Sequence, residues 1–204
     1  MGPGCKRSPP PAAGPEPATT TAAGAAAFGT GAPQDCLPAG DGYLHARLEG
    51  AVDAHIDWPN RGTACAGESK DHPPGVRLSF QRHVASTPDL LFVFGLTGIR
   101  KGEPAQETRA NVTIILQGSG RIFGTLGDSR CTVDSLTQHA LGDAQHYRVE
   151  ARGFCTQPAR AVRGEDMILM STFEFAGPVA YVDAEVAAPS AASTPTAPSA
   201  QAAR

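Results

Sequence analysis

The chain has 204 residues, of which 41% are hydrophobic, and it carries a formal net charge of −3. That length accommodates one domain of about 150 residues with extensions at its ends. A mildly acidic, evenly mixed charge lacks the basic patches that bind nucleic acid or anionic lipid, so neither is an expected partner. No apolar run reaches the length of about 18 residues that predicts a transmembrane helix.

The two ends of the chain differ in composition from its middle. Residues 1–34 contain seven prolines, many Ala, Gly and Thr residues and a single aromatic residue, Phe28. Residues 184–204 are similarly rich in Ala, Pro, Ser and Thr. Such segments bury too little apolar surface to offset the conformational entropy lost on folding. We therefore predict a disordered head at 1–34, a folded domain at 35–183 and a disordered tail at 184–204.

The head begins with a cysteine in a distinctive setting. Cys5 follows Gly4 and precedes a long stretch of Pro, Ala and Thr. This arrangement resembles the mature end of a bacterial lipoprotein, where a lipidated cysteine precedes a flexible tether. The resemblance implies a lipid anchor on Cys5 and export to the periplasm or outer membrane. The usual hydrophobic signal does not precede Cys5, which a late start codon or a removed signal would explain; the alternative is a lone cysteine in a disordered head.

The clearest strand signal runs from Leu44 to Trp58. Apolar or small residues occupy the even positions, and mainly polar residues such as His45 occupy the odd ones. Alternation with a period of two places one set on a core and the other in water. We predict one long strand that bends or bulges at Gly50, where it passes from one sheet to another.

Further strands are separated by turn residues, and no segment shows a helical stripe. They are predicted at Val76–His83, Leu90–Thr97, Asn111–Gln117, Arg121–Leu126, Tyr147–Phe154 and Met167–Phe175, with an edge at Val179–Val182. Leu90–Thr97 is apolar on both faces, which is typical of a central strand, and residues 98–109 are interpreted as a polar loop. The pattern predicts an all-β fold, an antiparallel β-sandwich or squat barrel of about seven to nine strands.

Four cysteines lie inside the predicted domain: Cys36, Cys65, Cys131 and Cys155. An even set without a CxxC pair or zinc-type spacing predicts two disulfides and a secreted or envelope location. The alternative is four separate buried thiols in a cytosolic protein.

A hairpin explains one of the two bridges. We predict a hairpin of two strands, Cys131–His139 and Tyr147–Cys155, with its turn at 142–144. Its opposed pairs are Cys131 with Cys155, Val133 with Gly153, Ser135 with Ala151 and Thr137 with Val149. Directly opposed residues have Cβ atoms about 4.5–5.5 Å apart, close to what a disulfide needs. We favour Cys131–Cys155 among the three connectivities that four cysteines allow, and Cys36–Cys65 follows by elimination.

The polar side of the first strand carries candidate metal ligands, which are His45, Asp53, His55 and Asp57. The last three share one side of a strand at two-residue spacing, about 7 Å apart. A divalent metal could bridge them if a neighbouring strand supplied another ligand. The alternative interpretation is the solvated face of an antiparallel strand.

The predicted 98–109 loop carries candidate binding residues, which are Arg100, Lys101 and Arg109. Long polar loops often carry recognition, although this one is alternatively a solvated crossover. We identify no convergent catalytic set and expect no cofactor. The sequence favours a non-enzymatic envelope or secreted protein that acts through binding or structural contacts with an unidentified envelope protein or ligand. The alternative is a metal-binding protein or metal-dependent enzyme that uses the His/Asp side of the first strand.

Overall fold

The structure is a computed structural model that describes residues 35–83, 89–127 and 130–182. The predicted head with Cys5 and the predicted tail lie outside the described residues. In the part of the chain that is described, no helix is long and apolar enough to cross a membrane.

The described residues form eleven β-strands. In chain order they are β1 (Tyr43–Gly50), β2 (Ala54–Pro59), β3 (Ala64–Asp71), β4 (Pro74–Arg82), β5 (Leu90–Thr97), β6 (Ala105–Leu116), β7 (Arg121–Gly124), β8 (Cys131–Ala140), β9 (His146–Cys155), β10 (Ala159–Ala161) and β11 (Met167–Ala180). Two of these strands, β3 and β10, were not predicted. Both lack large apolar residues, so they show no alternation that a sequence pattern can detect.

Seven of the strands close into a ring in the order β3, β4, β5, β6, β8, β9 and β11. Neighbours are antiparallel except where β11 meets β3, in parallel, through the pair Ala180 and Glu68. β1 and β2 extend the sheet from β11, and β7 and β10 connect β6 with β11. The predicted all-β, antiparallel fold is confirmed, and the closed ring corresponds to its squat-barrel form.

The inward-facing side chains of these strands form one hydrophobic core. Its largest fully buried side chains are Phe80, Phe92, Phe94, Phe123 and Phe175. The Phe175 ring lies 4.7 Å from Phe94 and 5.3 Å from Phe80 between centroids. Burying each such side chain stabilises the fold by about 1.5–3 kcal/mol. Because the core occupies the inner side of the ring, the outer sides of the strands are what the domain presents to partners.

The single strand predicted from Leu44 to Trp58 is wrong, since this segment is a hairpin of β1 and β2. Gly50 has a φ of 115°, and its backbone N–H donates to Asp53 Oδ1 at 3.2 Å across the turn. Leu44 on β1 pairs with Trp58 on β2. In every pair of this hairpin the two residue numbers are both even or both odd, so the even-numbered residues face the core on both strands. The alternation therefore runs through the turn unbroken and does not reveal it.

Both predicted disulfides are present. Cys131–Cys155 joins β8 to β9 with Cα atoms 3.9 Å apart, and Cys36–Cys65 joins the segment before β1 to β3 with Cα atoms 4.9 Å apart. The β1–β2 hairpin brings the second pair together, and Cys36 N donates to Asn60 O at 3.1 Å beside it. Disulfides persist in oxidising compartments, so the two bridges indicate an extracellular or exported environment.

The predicted register of the β8–β9 hairpin is right at its start and wrong beyond it. Val133 faces Gly153 as predicted, but a bulge at Asp134 adds one residue to β8. The later pairs are displaced: Ser135 faces Arg152 and Thr137 faces Glu150, rather than Ala151 and Val149. The bulge places Leu136 in the core at 1% exposure, which an uninterrupted alternation from Val133 would not do.

Two predictions, a polar loop at 98–109 and a separate edge strand at 179–182, are partly wrong because residues of both segments belong to longer strands. The predicted loop at 98–109 ends early, because β6 begins at Ala105 and includes Arg109. Within the remaining loop, Ile99 is buried in the core at 3% exposure rather than solvated. The predicted edge strand at 179–182 is instead the end of β11, which runs without interruption to Ala180.

Candidate functional site

The outer surface of β2, β1, β11, β9 and β8 carries mainly polar and charged side chains, and we call it the polar face. Strand pairing arranges these side chains in rows. His45 on β1 lies opposite Asp57 on β2 and opposite Glu174 on β11, which in turn lies opposite Arg152 on β9. Opposed residues have Cβ atoms about 4.5–5.5 Å apart, so the four side chains form a continuous row across four strands.

A second row runs beside the first, with Arg47 on β1 opposite His55 on β2 and Thr172 on β11. An open depression of about 290 Å³ lies over the two rows and is lined by His45, Arg47, His55, Asp134, Arg152 and Glu174. A smaller depression of about 140 Å³ shares Arg152 and Glu174 and extends to the hydroxyls of Ser135 and Thr137. Together they form one polar groove across the strands.

Three titratable side chains in the groove, Arg152, His55 and Asp134, have no charged or hydrogen-bonding partner among the described residues. The other cationic groups are partnered. His45 Nε2 lies 3.2 Å from Asp57 Oδ1, and Arg47 Nε lies 3.7 Å from Glu49 Oε1. An exposed guanidinium without an acidic partner is available to bind a carboxylate, phosphate or hydroxyl group of a ligand.

A tyrosine at the side of the groove joins two of its carboxylates. Tyr43 Oη lies 3.3 Å from Glu150 Oε1 and 3.2 Å from Glu174 Oε1. Burial raises the pKa of the Tyr43 hydroxyl well above its usual range, and the charges of both glutamates raise it further. Tyr43 therefore stays neutral and donates its one proton to either carboxylate.

Arg148 neutralises the acidic end of the groove. Its Nε lies 2.7 Å from Asp41 Oδ2 and its Nη1 donates to Glu150 Oε2 at 2.5 Å, with only 15% of the side chain exposed. The hydrogen bond from Arg148 lowers the pKa of Glu150, although burial opposes it. Glu150 is therefore ionised and compensated, which leaves Arg152 as the unpaired cation at the centre of the groove.

The four predicted metal ligands are not brought together as predicted. His45 and Asp57 are paired, but Asp53 lies in the turn before β2 and accepts a hydrogen bond from Gly50 N. His55 faces Arg47 across the β1–β2 pair. In the described residues, no group of three or more His, Cys, Asp or Glu side chains is placed to hold a metal ion.

The three predicted binding residues lie outside the groove. Arg100 Nη1 lies 4.0 Å from Glu103 Oε2, and Lys101 Nζ donates to Gln145 Oε1 at 2.8 Å. Arg109 lies on β6 opposite Thr132 of β8. Their proposed role in binding stays a prediction.

Sequence reasoning missed Arg152, Glu174 and Asp134. The first two occupy polar positions on alternating strands, which the sequence does show, but their proximity to His45 depends on the pairing of β1 with β11 and of β11 with β9. A break in the alternation after Val133 was the available signal for the bulge that exposes Asp134.

The groove contains no nucleophile activated by a base. Thr172 is its central hydroxyl, and no hydrogen bond joins it to His45 or His55 in the described structure. Nucleophilic catalysis requires such a pair within hydrogen-bond reach. The unpartnered Arg152 guanidinium can donate hydrogen bonds to a polar ligand.

Comparison of the chain with protein-family models, with curated proteins and with solved structures gave no match.

Proposed function

We propose that this protein is a non-enzymatic binding module of the cell envelope or the secreted space, and that it binds a polar ligand or partner through the groove of the polar face. One observation carries the proposal, the unpartnered Arg152 at the centre of a groove whose other guanidinium, Arg47, and whose Glu174 both have partners. A fully compensated surface would have no group left for a ligand, whereas a free guanidinium offers directed hydrogen bonds.

The proposed compartment is supported by the disulfides and by the resemblance of the Cys5 segment to a lipoprotein. The two bridges support an oxidising, exported environment. Within it we propose a bacterial envelope lipoprotein anchored at Cys5, with the residues before the domain as its tether. Replacing Cys5 by Ala in the complete gene, signal included, is expected to move the protein from the membrane to the soluble fraction. Unchanged membrane fractionation would contradict the lipid anchor without affecting the binding proposal.

The binding proposal is tested by placing a photo-crosslinking amino acid at Thr172, an exposed position in the groove. Irradiation of cells of the source organism is expected to give a discrete crosslinked product. Arg152→Glu should abolish it, because charge reversal removes the central donor. A matched reversal on β4, Arg77→Glu, should leave the product unchanged, since Arg77 is similarly exposed but lies outside the groove. Equal loss in both variants, or no product at Thr172, would overturn the proposal.

The metal-binding alternative rests on the His45–Asp57 pair at 3.2 Å. Elemental analysis of the purified full chain distinguishes it from the proposal. We expect less than one equivalent of any transition metal and no difference in His55→Ala. A stoichiometric metal that is lost in His55→Ala would establish the metal-binding alternative in place of the proposed function.

A further inference from the structure

A second part of the outer surface has the opposite character. Leu91 on β5 lies opposite Ile115 on β6, which lies opposite Ile122 on β7. Val162, directly after β10, continues the row, since its backbone N–H donates to Ile122 O at 2.8 Å. Four aliphatic side chains therefore lie side by side across β5, β6, β7 and the residue that follows β10, on the side of the sheet turned away from the core.

The neighbouring row widens this surface. Val93 on β5 leads through Thr113 on β6 and Gly124 on β7 to Arg160 on β10, and Arg160 lies opposite Met167 at the start of β11. We call the two rows together the apolar face. Three of its aliphatic side chains are well exposed, Ile122 at 40%, Met167 at 41% and Val162 at 71%. Clustered exposure of this kind marks an interaction surface, whereas isolated exposed aliphatic residues are common.

The charges within and beside the apolar face are mainly positive. Arg160 lies within the face and Arg163 directly follows Val162, and neither has an acidic partner among the described residues. Arg121 is neutralised by its ion pair with Asp166, and among the described residues from Arg160 to Met167 the other acid is Glu165. This local excess of arginine contrasts with the net charge of −3 for the whole chain. Aliphatic side chains interspersed with arginine match the chemistry of an anionic lipid surface, which offers acyl chains and phosphates together.

We propose that the apolar face seats the domain directly on an anionic lipid surface. Ile122, Val162 and Met167 enter the boundary between headgroups and acyl chains, while Arg160 and Arg163 pair with lipid phosphates. This contact is independent of both the groove and the proposed anchor at Cys5. It also goes beyond the expectation that any membrane contact occurs only through a lipid anchor, because strand pairing places Arg160 beside the aliphatic side chains of β5, β6 and β7.

Self-association fits this surface less well. Four strands at about 4.8 Å spacing and two rows along them give an apolar area on the order of a few hundred Å². A stable protein interface buries about 800 Å² on each partner. A symmetric dimer would also bring the Arg160 and Arg163 side chains of two copies close together, with Glu165 as the nearby acid that is not already paired. A lipid surface meets neither difficulty.

The test is vesicle co-sedimentation of the full chain without lipid modification. Wild type is expected to sediment with vesicles of phosphatidylcholine mixed with phosphatidylglycerol, and much less with phosphatidylcholine alone. Added salt should weaken the binding, because it screens the arginine contacts. Val162→Asp should lower the affinity by about tenfold or more, since it places a charge in the apolar contact.

The chain offers a closely matched control. Val182 is exposed to 70%, against 71% for Val162, but it lies at the other end of β11 beside Ser69. Val182→Asp should therefore bind vesicles like wild type. Arg160→Glu serves as a second variant and should remove the preference for phosphatidylglycerol. Circular dichroism of each variant verifies that the fold is retained.

Three results would overturn the proposal. The first is failure of the wild-type chain to bind the mixed vesicles. The second is an equal loss of binding in Val162→Asp and Val182→Asp. The third is sedimentation of the wild-type chain as a dimer that Val162→Asp dissociates, which would assign the apolar face to a second copy. None of these results bears on crosslinking at Thr172, so failure here is distinguishable from failure of the proposed function.

Discussion

The polar face and the apolar face are outer surfaces of one sheet, yet their residues differ in kind. On β1, β9 and β11 the outer positions include His, Arg, Thr and Glu, whereas on β5, β6 and β7 they include Leu91, Val93, Ile115 and Ile122 beside uncharged Thr, Asn and Gly residues. A strand that is apolar on both sides is usually covered on both. Here the ring has one interior, so the second apolar set of β5 remains at the surface. The difference shows that a sheet closed around one core can use its outside for two kinds of contact.

The largest expected effect concerns the strands beneath the polar face. Cys131–Cys155 joins β8 to β9, while among the described residues no bridge joins the strands of the apolar face. Replacing both cysteines with Ala should lower the free energy of unfolding by about 3 kcal/mol, because the bridge restricts the unfolded chain. Urea unfolding measures the loss, and hydrogen exchange should locate it in β8 and β9. A loss spread equally over β5 and β6 would contradict a local role.

Two glycines, one on a strand of the polar face and one on a strand of the apolar face, test how closely the strands pack. A Cβ on Gly153 of β9 would lie 2.1 Å from Thr132 O and 2.8 Å from Phe173 Cζ, so Gly153→Ala should cost about 2–3 kcal/mol. The matched change on the apolar side is Gly124→Ala on β7, where no atom lies within 4 Å of the new Cβ. That variant should be neutral or stabilising by up to about 1 kcal/mol. Thermal and urea unfolding of both variants check the contrast.

The two arginine ion pairs differ in burial and should differ in strength. Arg148, beside the groove, is 15% exposed and contacts two carboxylates, so Arg148→Met should lower stability by about 2 kcal/mol. Arg121, beside the apolar face, is 41% exposed and pairs with Asp166 while lying over the Phe123 ring. Arg121→Met should cost below about 1 kcal/mol. Equal losses in urea unfolding would show that burial does not separate the pairs.

The smallest expected effect is a pH dependence in the β8–β9 turn. The backbone N–H of Gln145, together with the side chain and backbone N–H of His146, lowers the pKa of Asp143 from 3.8 to about 2. Since the folded pKa is the lower one, the stabilisation is present above pH 3.8 and is lost as the pH falls towards 2. Carboxyl NMR should give the titration midpoint, and Asp143→Asn should remove this part of the acid sensitivity. A midpoint of 3.8 in the folded protein would contradict the turn geometry.

The sequence predicted elements whose signals are local. Alternation identified the inner residues of β1 and β2, and opposed positions in one hairpin paired Cys131 with Cys155. Alternation did not reveal the turn after Gly50, because even-numbered residues face the core on both strands of that hairpin. The pairing predicted from opposed positions was wrong beyond Asp134, because a bulge changes the register within β8. Alternation also left β3 undetected, since a strand of small and polar residues carries no periodic apolar signal.

By itself, then, the sequence determined the fold class and the inner and outer positions of most strands, and it ranked the observed pair of bridges first, with Cys36–Cys65 reached only by elimination. A period of two and the pairing within one hairpin are properties of short stretches, which is why they can be predicted. Only the tertiary structure decided which outer positions become neighbours. Arg152 reaches the row of His45 through β11, and Val162 reaches the row of Leu91 through β7 and β6. Both surfaces arise from the order in which strands pair around the ring, and that order depends on contacts between residues far apart in the chain.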